Sequence, residues 1–120
     1  MFQSYAFTNW AASAFATNPV LIKGLGFGSS NTPANPNQTS LLGEDQFYFE
    51  VEPQASGNVI FYEVNFTQDI SFEIYEVGLF KNLCERKMYF RGVFRSPLRI
   101  RNVSTHPQTF ILRLKMNTYP

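Results

Sequence analysis

From Gly43 onward apolar side chains recur at every second position, the spacing that places them on one face of an extended strand. Phe47, Phe49 and Val51 alternate with Tyr48, Glu50 and Glu52, and Ile60, Tyr62, Val64 and Phe66 alternate with Phe61, Glu63 and Asn65. The clearest in/out pattern sets Phe110, Leu112, Leu114 and Met116 against Ile111, Arg113 and Lys115, within a strand predicted over 109–117. Further strands are predicted over 71–80, over 87–95 with Met88, Phe90 and Phe94 on one face, and over 98–103. Ahead of Gly43 the pattern differs. Residues 8–16 are rich in Ala, open on a Thr cap and stop before Asn18-Pro19, which predicts a short helix. Val20-Leu21-Ile22 predicts a strand, and 24–43, with its Gly, Ser, Pro and Asn residues, predicts a long loop. About seven short strands punctuated by turn signals define one all-β domain over 1–120, an antiparallel β-sandwich or small barrel with a short N-terminal helix.

Composition agrees with a chain of 120 residues large enough for one hydrophobic core and no more. Hydrophobic residues make up 44%, aromatic residues 17% and charged residues only 16%, against about 25% charge in an ordinary soluble domain. So sparse a charge points to a surface partly covered by other subunits. The single cysteine, Cys84, rules out an intrachain disulfide and a multi-cysteine zinc site. The start lacks a basic segment ahead of an apolar run, and no stretch approaches the about 20 apolar residues that span a bilayer. The expectation is a protein made in the cytoplasm, with no membrane partner.

The charges are segregated. Between Gly24 and Phe80 stand eight acidic residues and no Lys or Arg, whereas from Lys81 onward nine basic residues are opposed only by Glu85. Two arrangements account for this: acidic and basic strands adjacent in one sheet, or complementary surfaces meeting between subunits. For the second, Arg91, Arg95, Arg99, Arg101, Glu50 and Glu52 are the candidate assembly contacts. Nucleic acid is not expected as a partner, because the acidic block repels phosphate and no recognition motif accompanies the arginines.

Candidate chemistry is thin. His106, the one histidine, sits in Ser104-Thr105-His106-Pro107, where a turn is expected, and Cys84 sits in a second turn with no base in its pattern. Glu50/Glu52 and Asp69/Glu73 are paired carboxylates of the type glycosidases use, but on a strand's polar face such pairs are ordinarily solvated. Gly24-Leu25-Gly26-Phe27-Gly28 places its third glycine one residue early for a dinucleotide loop, and no helix follows. No catalytic, cofactor-binding or metal-ligating residue is assigned, no cofactor is expected, and the chain is read as a non-enzyme.

Three segments together resemble small structural proteins of the tail and tail-fibre regions of tailed bacteriophages. These are Asn9-Trp10-Ala11-Ala12 through Gly24-Leu25-Gly26-Phe27-Gly28, Ser30-Asn31-Thr32-Pro33 through Glu44, and the strand Glu76-Val77-Gly78-Leu79-Phe80 followed by an aromatic strand with Arg at 89–94. The chain departs from the family pattern at Gly26-Phe27-Gly28 and in the turn after Phe80. The resemblance implies a β-sandwich-like virion protein, an adaptor or decoration at tail, baseplate, fibre or neck, present in several copies and contacting other virion proteins. A capsid decoration protein and a carbohydrate-binding β-sandwich, stacking sugars on Tyr48, Tyr75 or Trp10, are the alternatives.

Independently of that resemblance, alternation places Phe72, Ile74 and Glu76 on one face of the 71–80 strand. Burial of Glu76 there requires backbone N–H groups or an Arg to satisfy it, and Gly78 marks a bulge or a close backbone approach. Glu76 is therefore expected to brace the fold.

Overall fold

A computed structural model describes residues 7–12, 22–35, 37–56 and 59–115. Among them are eight strands: β1 (Phe7–Ala12), β2 (Gly24–Gly28), β3 (Gln46–Glu50), β4 (Gln54–Ser56), β5 (Val59–Phe66), β6 (Ile74–Phe80), β7 (Met88–Leu98) and β8 (Gln108–Lys115). They form a five-stranded sheet in the order β1-β7-β6-β2-β3 and a three-stranded sheet in the order β4-β5-β8, with every pairing antiparallel. The all-β, sandwich-like expectation holds.

The core lies between the sheets. Period-two alternation turns Ile60, Tyr62, Val64 and Phe66 of β5 and Phe110 and Leu112 of β8 inward, where they meet Leu25, Phe27, Val77, Leu79, Phe90 and Phe94 of the larger sheet. Aromatic rings lock the two layers together: the Phe27 ring lies 5.4 Å from Phe66 and 5.2 Å from Phe110, and Phe94 lies 5.8 Å from Phe110. Edge-on and tilted pairs of this kind add about 0.5–1.5 kcal/mol each beyond the area they bury.

Five local expectations are corrected. Gly24–Gly28 is a strand next to the sheet's centre, not the start of a loop, because Leu25 and Phe27 keep the inward period while the glycines occupy the outward one. Of the helix expected over 8–16, residues 8–12 are instead part of β1, paired to β7 from Phe7↔Phe94 to Ala12↔Phe90, and 13–16 lie outside the described residues. Sheet pairing supplies partners for the backbone that overrides Ala propensity. The strand expected over 98–103 is irregular beyond Leu98: Asn102 takes φ 59°, and its carbonyl accepts from the Thr105 and His106 N–H groups, while Ile100 and Val103 still plug the core. Finally, a register shift between Ile74 and Glu76 changes the phase of β6. Ile74 and Val77 both enter the main core, and Glu76 turns to the opposite face. A second shift, between Leu79 and Phe80, puts Met88 in an outer cluster with Phe80 and Leu41, away from Phe90 and Phe94.

Candidate functional site

The outer face of the larger sheet is floored by glycine. Gly26 and Gly78 are paired across β2 and β6, as are Gly28 and Glu76, and the absent side chains leave a trough. The Tyr48 ring from β3 and the Leu41 side chain fill it: a Cβ on Gly26 would stand 2.7 Å from Tyr48 Cε1, and one on Gly78 2.9 Å from Leu41 Cδ2. Leu41 belongs to residues 29–45, a polar loop that folds back over this face and is pinched at its ends, where Ser29 N–H donates to the Asp45 carbonyl and Asp45 N–H to Ser29 Oγ. Compact loops with adjacent ends and their own internal packing are the Ω class.

Glu76 holds the loop down. Its side chain is 0% exposed, and Arg91, one strand over on β7, is 1% exposed; Arg91 Nε donates to Glu76 Oε1 at 2.8 Å. Glu76 Oε1 also accepts Leu42 N–H at 3.0 Å, and Oε2 accepts Gly43 N–H at 2.7 Å and Ser30 N–H at 3.2 Å. Arg91 Nη1 donates to the Thr32 carbonyl at 2.7 Å and to Gln38 Oε1 at 3.3 Å, and Nη2 to the Ser30 carbonyl at 3.4 Å. Both ends of the ion pair therefore terminate in loop backbone. Charge-assisted bonds of this kind are about twice as strong as neutral ones, and no buried side-chain polar atom among the described residues lacks a partner. Gly28 and Gly43 make the approach feasible, since a Cβ on Gly28 would stand 2.8 Å from Glu76 Cδ, and one on Gly43 2.8 Å from Glu76 Oε2. Gln46 closes the loop's far end, donating to the Gly43 and Leu41 carbonyls at 2.9 and 3.3 Å.

Sequence reasoning anticipated that Glu76 needs N–H groups or an Arg, but placed Arg91 among surface contacts. That placement is corrected: Arg91 is buried and engaged within the chain. The signal was present in Tyr89-Phe90-Arg91-Gly92-Val93-Phe94, where Arg91 is the single charge in an apolar run.

Elsewhere among the described residues the acidic and basic blocks meet in only a few places. Arg99 Nη2 lies 2.9 Å from Glu73 Oε1 at the surface, and Arg101 donates to the Ile70 carbonyl. Arg99, above all through its hydrogen bond, holds the Glu73 carboxyl below the usual carboxylate range. Backbone N–H groups of Val103 and Asn102 do the same for Asp69. Glu50, Glu52 and Arg95 are exposed, with Glu52 3.9 Å from Lys23. The fold does not gather Glu50, Glu52, Arg91, Arg95, Arg99 and Arg101 into one surface: Glu50 ends β3 at one edge of the sheet, whereas Arg95 lies on β7, three strands away.

His106 is exposed beside Thr105 Oγ1, 2.9 Å from Nδ1, and Cys84 is exposed in its turn. Tyr48, a proposed sugar platform, has the Arg86 guanidinium 4.0 Å over its ring and Phe80 against it at 5.5 Å. Burial, the leading cause, pushes its phenol pKa up. The described residues contain no group of three or more His, Cys, Asp or Glu able to hold a metal ion, and no helix long and apolar enough to cross a membrane. What the geometry defines is a sandwich with a charge-braced Ω-loop on one face. In comparison with known proteins, the chain matches no family model, no curated protein and no solved structure.

Proposed function

We propose that the chain is a bacteriophage virion structural protein, an adaptor or decoration at the tail, baseplate, fibre or neck, working through protein–protein contacts and catalysing no reaction. The observation that carries a structural role is the destination of its buried charges. Glu76 and Arg91 spend every hydrogen bond on each other and on the 30–43 loop, so the one buried ion pair among the described residues serves architecture. The word virion rests on the resemblance carried by the Glu76-Val77-Gly78-Leu79-Phe80 strand and its companion segments.

The partners in this reading are other virion proteins and further copies of the chain. Mass spectrometry of purified, nuclease-treated particles from the virus encoding the chain tests it: the protein is expected at a fixed stoichiometry to tail proteins. Absence from particles overturns the reading, and a stoichiometry tied to the capsid shell moves it to decoration of the head.

A further inference from the structure

We infer that copies of this chain associate head to tail, with Leu42 at the braced loop of one copy seated on Phe61 and Ile111 of the next. The inference rests on the assembly reading above and names its contact.

Burying an ion pair does not by itself stabilise a fold relative to apolar packing; its attested benefit is to fix one conformation. Here the conformation fixed is that of a polar, exposed loop. Ordering such a segment in advance lowers the entropy lost on association, which is how preorganised surfaces gain affinity. The brace also sets which leucine faces out. Leu41 is drawn under the loop into the glycine trough, while Leu42, its N–H held by Glu76, stands 43% exposed and is the exposed large hydrophobic residue among those described. Glu44 and Asp45 follow it, both exposed, and among the described residues neither takes part in an ion pair. A partner for this tip presents an apolar socket with a cation placed to meet the two carboxylates.

The chain carries such a surface on the outer face of its smaller sheet. In the β5/β8 register, Phe61 stands opposite Arg113 and Glu63 opposite Ile111, which turns all four outward. Phe61 and Ile111 are half-buried diagonal neighbours, and Arg113 is exposed beside Phe61. Diagonal pairs on one sheet face stand about 7–8 Å apart, a gap that a leucine side chain bridges. Arg113 then faces Glu44 and Asp45, while Glu63, at the socket's other end, meets the exposed hydroxyls of Thr39 and Ser40. Tip and socket lie on opposite faces of the sandwich, so the contact is heterologous and propagates until a ring closes or a filament grows.

The test is light scattering coupled to size exclusion over a concentration series of the full chain, with circular dichroism confirming the fold of each variant. Wild type is expected above monomer mass, and Leu42→Glu to weaken association about tenfold or more, as loss of a central apolar anchor does. Asp45→Arg and Arg113→Asp are each expected to weaken it, and an equimolar mixture of the two to restore it, since each then offers the other a complementary surface. A wild-type monomer at every concentration overturns the inference. So does an oligomer unmoved by all three variants, an outcome that leaves the assembly reading standing, whereas absence from particles removes that reading whatever the oligomeric state.

Discussion

Along β2, Leu25 and Phe27 face the second sheet while Gly26 and Gly28 face Leu41 and the Glu76 carboxylate beneath the 29–45 loop, and the two sides are held by different rules. On the inner side, apolar side chains from five strands share one volume, and affinity for that volume is set by area and shape, so neighbours can adjust to one another. On the outer side, two carboxylate oxygens and a guanidinium must each find particular backbone groups, and Gly28 and Gly43 leave the room the carboxylate needs. Tolerance on one side and exact placement on the other are properties of the forces, dispersion being non-directional and hydrogen bonding steeply directional. The most demanding part of this molecule is therefore the attachment of a loop, not the core.

Glu76→Ala strikes the outer side hardest. It leaves Arg91 buried and unpaired and strips the acceptor from three loop N–H groups, which should cost about 3–5 kcal/mol of unfolding free energy in denaturant titration. An unchanged midpoint would sink the brace. Glu76→Leu combined with Arg91→Met sharpens the point, because replacing a buried ion pair by apolar residues is often neutral. The double variant should recover most of the lost stability while the Leu42 and Gly43 amides exchange faster and protease cuts within 30–43. Recovery with unaltered exchange would mean that the loop is ordered by something else.

Next in size is Gly28→Ala. Its new Cβ would press on the Glu76 carboxylate, whose position is fixed by four hydrogen bonds, so about 1–3 kcal/mol should be lost. Leu79→Met, one residue from Gly78 but facing the inner core, should cost under about 1.5 kcal/mol. Equal penalties for the two substitutions would erase the contrast between the faces.

The same contrast explains what was legible in the sequence. Inner-face residues announce themselves by period: Ile60 to Phe66 and Phe110 to Leu112 are buried where alternation puts them. The outer face has no such signal. Gly24–Gly28 alternates glycine with Leu25 and Phe27, and glycines that make room for Tyr48, Leu41 and Glu76 look, in sequence, like glycines that make a turn. Bulges are equally silent. The surplus residues lie on β7: four residues between Val93 and Leu98 stand against the single Tyr75 where Glu76 leaves the face of Ile74, and Tyr89 is unmatched between Phe90 and Met88, which sends Met88 to the outer cluster, so a period counted straight through 71–95 assigns faces wrongly. That Glu76 needed a partner was legible; that Arg91 supplies it required the β6/β7 register.

The smallest expected effect concerns charges outside both faces. Asp69 accepts from the Val103 N–H at 3.0 Å and pins the irregular 99–107 segment, and that bond, with the one from Asn102, depresses its pKa below the ordinary 3.8. A carboxyl whose folded pKa is lowered contributes stability that is fully present above its unfolded value and is lost as pH falls through the folded one. Glu73, depressed below 4.5 chiefly by its hydrogen bond to Arg99, acts with the same sign. The thermal midpoint should therefore be flat above about pH 5 and decline slightly on acidification below it. Asp69→Asn should lower the midpoint modestly at neutral pH and flatten the acid decline, because the amide oxygen still accepts from Val103 but carries no titrating charge. Because both carboxylates are solvent-screened, their joint effect should stay well below that of Glu76→Ala. An acid decline of equal size in Asp69→Asn and wild type would mean that the 99–107 segment is held by Ile100 and Val103 in the core, and that its surface carboxylate adds nothing.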